Sequence, residues 1–121
     1  MMKFGLKQAH IDMINQCFTQ YPAIEEVILY GSRAKGNFKN GSDIDLTIID
    51  NQSLSFSELL RLETQLDDLL LPYKINLSIK RQISNPDLID HIDRVGKLFY
   101  QKESILVAQE PKPDYKNNLE I

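Results

Sequence analysis

The sequence contains no tryptophan and a single cysteine, Cys17. One thiol cannot close a disulfide within the chain, so the fold must stand on its own hydrophobic core. Two histidines, His10 and His91, are too few for a His-rich zinc site, which leaves carboxylates as the expected ligands of any metal. No apolar run approaches the ~18 residues that would span a bilayer, so no membrane is expected as a partner. Positive charge is also in deficit: 14 Lys+Arg stand against 17 Asp+Glu, a net charge of −3. Direct nucleic-acid binding, which relies on a basic field, is therefore not expected. Met1-Met2-Lys3-Phe4-Gly5 lacks the apolar stretch and cleavage site of a signal peptide, and a cytoplasmic location is expected. What remains is ordinary for a globular chain. Of 121 residues, 42% are hydrophobic and 26% charged, which fits one domain with one core.

The hydrophobic pattern divides the chain into short elements. Ile11, Ile14, Cys17, Phe18 and Tyr21 recur at three- and four-residue steps and predict an amphipathic helix from about Leu6 to Tyr21, ended by Pro22. Glu26 to Tyr30 is a short run of strand formers. Gly31 to Ser42 carries three glycines and predicts a loop with one helical turn at most. From Asp43 to Ile49 the residues alternate, with Ile44, Leu46 and Ile48 on one face and Asp43, Asp45 and Thr47 on the other. Ser55 and Glu58 form a capping-box pair, behind which Leu59, Leu62, Leu66 and Leu69 give a helical stripe that stops before Pro72. Lys74 to Lys80 alternates again, and Asn85-Pro86-Asp87 starts a helix carrying Leu88, Ile92 and Val95, with Gly96 at its end. Lys97 to Tyr100 completes the pattern as a short strand. The predicted class is α/β, a small mixed β-sheet packed with helices. Residues 1–100 form the expected domain. Residues 101–121, with Pro111-Lys112-Pro113 after the apolar Ile105, Leu106 and Val107, are expected to be either a poorly ordered tail or an arm that binds a partner or a second copy.

Chemistry concentrates in Gly31-Ser32-Arg33-Ala34-Lys35-Gly36 and Ser42-Asp43-Ile44-Asp45-Leu46. Two carboxylates two residues apart on a strand project from one face. Their repulsion is relieved by a divalent cation, and Mg²⁺ favours one or two carboxylates together with substrate phosphates. Upstream, Gly31 permits close backbone approach, Ser32 adds a hydroxyl, and Arg33 and Lys35 add positive charge. An isolated Asp-x-Asp is more often a solvated pair, and a Gly-Ser turn can be only a tight connection. A P-loop is excluded, because Gly36 is followed by Asn37-Phe38 where Lys and Ser/Thr are required. The informative feature is the combination: Gly-Ser after a buried strand, ten intervening residues, then Asp-x-Asp opening the next strand.

That combination resembles the nucleotidyltransferases of the DNA polymerase β superfamily, and within them the minimal nucleotidyltransferases (MNT) often paired with HEPN-domain proteins. The resemblance runs from the first helix to Tyr100. It implies that Gly31 and Ser32 grip the triphosphate, that Arg33 and Lys35 are auxiliary phosphate contacts, and that Asp43 and Asp45 are the catalytic metal ligands. It also implies Mg²⁺ or Mn²⁺ as cofactor and ATP as substrate. The family reaction transfers a nucleoside monophosphate, commonly AMP, onto a hydroxyl; in HEPN-paired systems that hydroxyl is thought to be a tyrosine of the toxin. One position departs from the pattern. Members usually carry a third acidic residue on the strand after the second helix, where this chain has Asn76. An amide oxygen is at best a weak metal ligand and brings no charge.

Three readings of function stay open on these grounds. The first is a metal-dependent protein adenylyltransferase acting on a HEPN-domain partner. The second is a catalytically weak or inactive antitoxin acting by contact, which Asn76 favours. The third is an accessory subunit supplying a nucleotide pocket. All three need a partner, and homo-oligomerisation is a further expectation. His10 and His91 are expected to be structural or solvent-facing, and Cys17 to be core.

Overall fold

A computed structural model of the chain describes residues 2–103. The expected tail, with Ile105, Leu106 and Val107, lies outside the described residues. The chain opens on a small hairpin that the helical periodicity hid: β1 (Met2–Lys3) pairs antiparallel with β2 (Leu6–Lys7). Helix α1 (Gln8–Phe18) starts after it, two residues later than the periodicity predicts. Then follow β3 (Ile24–Tyr30), α2 (Gly31–Lys35), β4 (Ile44–Asp50) and α3 (Phe56–Asp67). Strand β5 (Ile75–Ile79), a 3-10 turn (Lys80–Gln82), α4 (Pro86–Val95) and β6 (Lys97–Gln101) complete the described chain.

The helix starts follow from their caps. Ser55 Oγ accepts from Glu58 N–H at 3.1 Å while the Glu58 carboxylate accepts from Ser55 N–H at 3.0 Å, the reciprocal box that satisfies two otherwise orphaned donors. Asn85 Oδ1 accepts from Asp87 N–H at 2.9 Å, with Pro86 at the first helical position. Gly96 ends α4 for a packing reason: its φ is −58°, but a Cβ there would stand 2.7 Å from Ile28 Cγ2 and 2.5 Å from the Ile92 carbonyl oxygen.

The four main strands lie in the order β5-β4-β3-β6, with β4 and β5 parallel and the other pairs antiparallel. The sheet is mixed, as predicted. The connection through α3 is long enough for the parallel crossover, whereas β3 returns through α2 to pair antiparallel. Val27, Leu29, Ile44, Leu46, Ile48 and Ile79 face α1 and α3, whose Ile11, Ile14, Phe18, Leu62 and Leu66 close the core. The opposite face is set by register. Tyr30, Asp45 and Asn76 stand side by side across three strands, and Ile28, Thr47 and Ser78 form the next row. Helix α4 packs on β3 and α2 and covers the β3 side of this face. Beyond β4, Arg81 donates from Nε and Nη2 to the buried Asp50 carboxylate at 2.9 Å each, tying the 3-10 turn that leads to α4 onto the sheet. Burial pushes the Asp50 carboxyl up, but Arg81 and the Leu54 and Gln52 amides outweigh it and hold it below its ordinary value.

Candidate active site

Asp45 leads the site because its position fixes its neighbours. Gly31 has φ +74°, a left-handed conformation that favours glycine. A Cβ on Gly31 would overlap Asp45 Oδ2, so any larger residue displaces that carboxylate. The Gly-Ser turn and the second carboxylate are thus one packed unit, although fourteen positions separate them.

Asp43, Asp45 and Asn76 also meet. Asn76 Nδ2 donates to Asp45 Oδ1 at 2.8 Å and to Asp43 Oδ2 at 3.1 Å. In this arrangement the amide nitrogen of Asn76 faces the two carboxylates, and its oxygen would reach a metal there only after the amide turns over. The two N–H bonds do electrostatically what a cation would do, spreading partial positive charge between two anions. The same geometry tests the site against a metal. An oxygen from each carboxylate lies within 3.1 Å of the Asn76 amide nitrogen, so the two carboxylates are close enough to share a hard divalent ion. Among the described residues, no group of three or more His, Cys, Asp or Glu could hold a metal. Two carboxylates suit Mg²⁺ that arrives with phosphates, rather than an ion caged by protein alone.

Arg33 is not where the phosphate reading puts it. It is 2% exposed, and its guanidinium is spent on backbone carbonyls: Nε and Nη2 donate to Ser42 O at 3.1 and 2.9 Å, Nη2 also to Asn40 O at 3.3 Å, and Nη1 to Phe4 O at 3.0 Å. It sits 5.2 Å from the Phe38 ring centroid and 5.1 Å from that of Tyr73. Burial draws it below the usual arginine range, with Tyr73 opposing. Its role is to tie α2 to the β1–β2 turn and to the loop that delivers Asp43. Helical geometry explains the exchange: at about 100° per residue Lys35 lies about 60° from Ser32 around the axis, while Arg33 lies about 160° from Lys35 and points inward. Lys35 is exposed and Ser32 half-buried.

This placement makes a prediction. Arg33→Ala leaves part-buried carbonyls without donors and removes a buried side chain, and is expected to cost about 3 kcal/mol in a urea melt. Arg33→Lys should recover little, since one ammonium cannot reach Phe4 and Ser42 together. An Arg33→Lys protein that melts like wild type but loses nucleotide binding would restore the phosphate role.

Four further residues neighbour the site. Tyr30 pairs across the strands with Asp45; burial raises its phenol, the Asp45 charge adds to this, and the Ser78 hydroxyl opposes it. Ser78 Oγ donates to Thr47 Oγ1 at 2.8 Å on the floor beneath. The fourth is His91, whose Nε2 accepts the Gly31 N–H at 3.1 Å. The Gly31 amide expected to meet phosphate is therefore engaged by a side chain in this structure. Spacing holds the missed signal: Leu88, His91, Ile92 and Val95 fall at i, i+3, i+4 and i+7, so His91 shares the inward face of α4.

Comparison with known proteins identifies the family. A family model described as polymerase beta nucleotidyltransferase matches residues 12–105. The chain belongs to the polymerase beta nucleotidyltransferase family. A 63-residue stretch is 36% identical to a Methanocaldococcus jannaschii protein named as a protein adenylyltransferase, covering 52% of this chain and 63% of that protein. Over 101 residues the chain is 28% identical to a protein of Haemophilus influenzae named as the protein adenylyltransferase MntA, covering 84% of this chain and 88% of that one. Among solved structures, a chain of a toxin–antitoxin complex with AMP-PNP superposes with a TM-score of 0.61 at 20% identity, over 81% of this chain and 76% of that one. A chain from the complex of a tri-AMPylated Shewanella oneidensis HEPN toxin with its MNT antitoxin gives 0.59 at 19% identity, over 78% and 72%. A minimal nucleotidyltransferase gives 0.60 at 21%, over 79% and 95%. At these identities the structural likeness establishes the nucleotidyltransferase fold.

Proposed function

We propose that this protein transfers AMP from ATP to a hydroxyl of a HEPN-domain partner, as the antitoxin of a toxin–antitoxin pair acting in the cytoplasm. The observation that carries this reading is the pairing of Asp43 and Asp45 close enough to share one donor, the Asn76 amide nitrogen, beside a Gly-Ser turn that packs against Asp45. The names of the two curated relatives and the HEPN–MNT complex among the structural neighbours support the acceptor class.

In this reading Asp43 and Asp45 hold Mg²⁺ or Mn²⁺ together with the triphosphate, and Asn76 turns its amide or gives way. The metal, when bound, neutralises phosphate charge and acidifies the attacking hydroxyl. Ser32 and the first turn of α2 orient the phosphates, and Lys35 offers a nearby positive charge. The acceptor oxygen forms a bond to the α-phosphorus as the bond to pyrophosphate breaks, and the hydroxyl proton leaves to solvent or a base. Residues 1–100 carry this chemistry in that reading. A second reading, neutralisation by contact with little transfer, is favoured by Asn76 alone.

Calorimetric titration with ATP provides the test. With Mg²⁺ present, binding is expected to be at least about tenfold tighter than in chelator, because the two carboxylates repel an unaccompanied triphosphate. Equal binding in both conditions overturns the metal site.

A further inference from the structure

We propose that His91 is a positioning residue of the nucleotide site, holding the Gly31 peptide in the orientation that sets the Gly-Ser turn against Asp45. The inference rests on the nucleotidyltransferase reading above and assigns a task to a residue from a different element. Gly31 is gripped from two sides: Asp45 Oδ2 fills the space of the absent Cβ, and His91 Nε2 accepts the amide proton at 3.1 Å. Glycine has the widest choice of backbone conformations, so a functional turn built on it needs outside constraints to keep one of them. Asp45 restrains the Cα, and His91 restrains the rotation of the preceding peptide plane. The imidazole is itself restrained, lying edge-on to Tyr30 with centroids 6.1 Å apart at 81°. An accepting Nε2 places the ring proton on Nδ1, so the contact selects one neutral tautomer. Tyr30, Gly31 and Asp45 belong to consecutive elements, whereas His91 comes from α4, sixty positions after Gly31. Helix α4 thereby fixes the turn on which nucleotide binding depends.

The experiment compares wild type, His91→Ala and His91→Gln, whose amide oxygen offers an acceptor in place of Nε2. Three quantities are read on each purified protein: Mg²⁺-ATP affinity by calorimetry, hydrogen exchange at the Gly31 amide, and melting temperature. Imidazole ¹⁵N spectra of wild type should show the Nδ1–H tautomer. His91→Ala is expected to weaken ATP binding about tenfold and to speed Gly31 exchange by a similar factor, the scale of one lost hydrogen bond. His91→Gln should return both to within about threefold of wild type. Affinity in His91→Ala equal to or tighter than wild type overturns the proposal, the tighter case meaning that His91 obstructs the Gly31 amide. Loss in both variants in proportion to their melting temperatures also overturns it, reducing His91 to a packing residue. Wild type that binds no Mg²⁺-ATP, while keeping the tautomer and the protected amide, overturns the nucleotidyltransferase reading itself and the proposal with it.

Discussion

Asp45→Asn is expected to reduce AMP transfer by about a thousandfold or more while leaving the protein at least as stable as wild type. The rate effect follows from charge. Removing one of two carboxylates from a divalent-ion site forfeits several kcal/mol of charge stabilisation, and each 1.4 kcal/mol is about a factor of ten. The stability effect has the opposite sign from most site damage. Asp45 and Asp43 share a single bridging amide, so neutralising one removes repulsion from the resting fold, and an asparagine oxygen still accepts from Asn76 Nδ2. Gly31→Ala should match the loss of transfer by another route. Its methyl group overlaps Asp45 Oδ2 and strains a backbone at φ +74°, so it moves the same carboxylate and also lowers the melting point. Labelled AMP incorporation into the HEPN partner, beside thermal melts, separates the two. Asp45→Asn that transfers at a tenth of the wild-type rate or better removes Asp45 from the metal site.

The difference between those two substitutions also shows what the sequence reveals and what it conceals. Alternation along Asp43–Ile49 and Lys74–Lys80 places Asp45 and Asn76 on the polar face, because a period of two admits only two answers per strand. The structure pairs these residues directly. Caps at Ser55 and Asn85 are legible for a similar reason, being local chemistry within three residues. Arg33 is misread because its basic charge beside a glycine turn suggests an anion, and nothing local shows that Phe4, Asn40 and Ser42 would present carbonyls to it. The β1–β2 hairpin is hidden because Leu6 suits a helical stripe as well as a strand, and strands of two residues carry no periodicity. His91 is the clearest concealment. Its partner is a backbone amide sixty positions away, and backbone donors look alike in every sequence.

Asn76→Asp is expected to raise AMP transfer at least about tenfold, with little change in Mg²⁺-ATP affinity. The wild-type site binds its two carboxylates together through an amide that can neither attract a second cation nor accept a proton. A third carboxylate at the same register position, opposite Asp45, supplies both abilities. A positioned base is typically worth ~10²–10⁴ in rate, so a tenfold gain is a low threshold for a side chain that must find its own geometry. The substitution carries a signature in stability as well. Without metal, three carboxylates replace two carboxylates bridged by a donor, and like charges facing each other across paired strands cost about 1 kcal/mol. Asn76→Asp should therefore melt below wild type in chelator and regain the difference in Mg²⁺, whereas wild type responds less to the ion. Combined with Asp45→Asn, the gain in transfer should vanish. If Asn76→Asp shows the metal-dependent stability but no added transfer, proton removal does not limit the reaction and the amide suffices. If neither wild type nor variant labels the partner while both bind it, neutralisation by contact is the function, and Asn76 marks a site that has kept its fold and lost its chemistry.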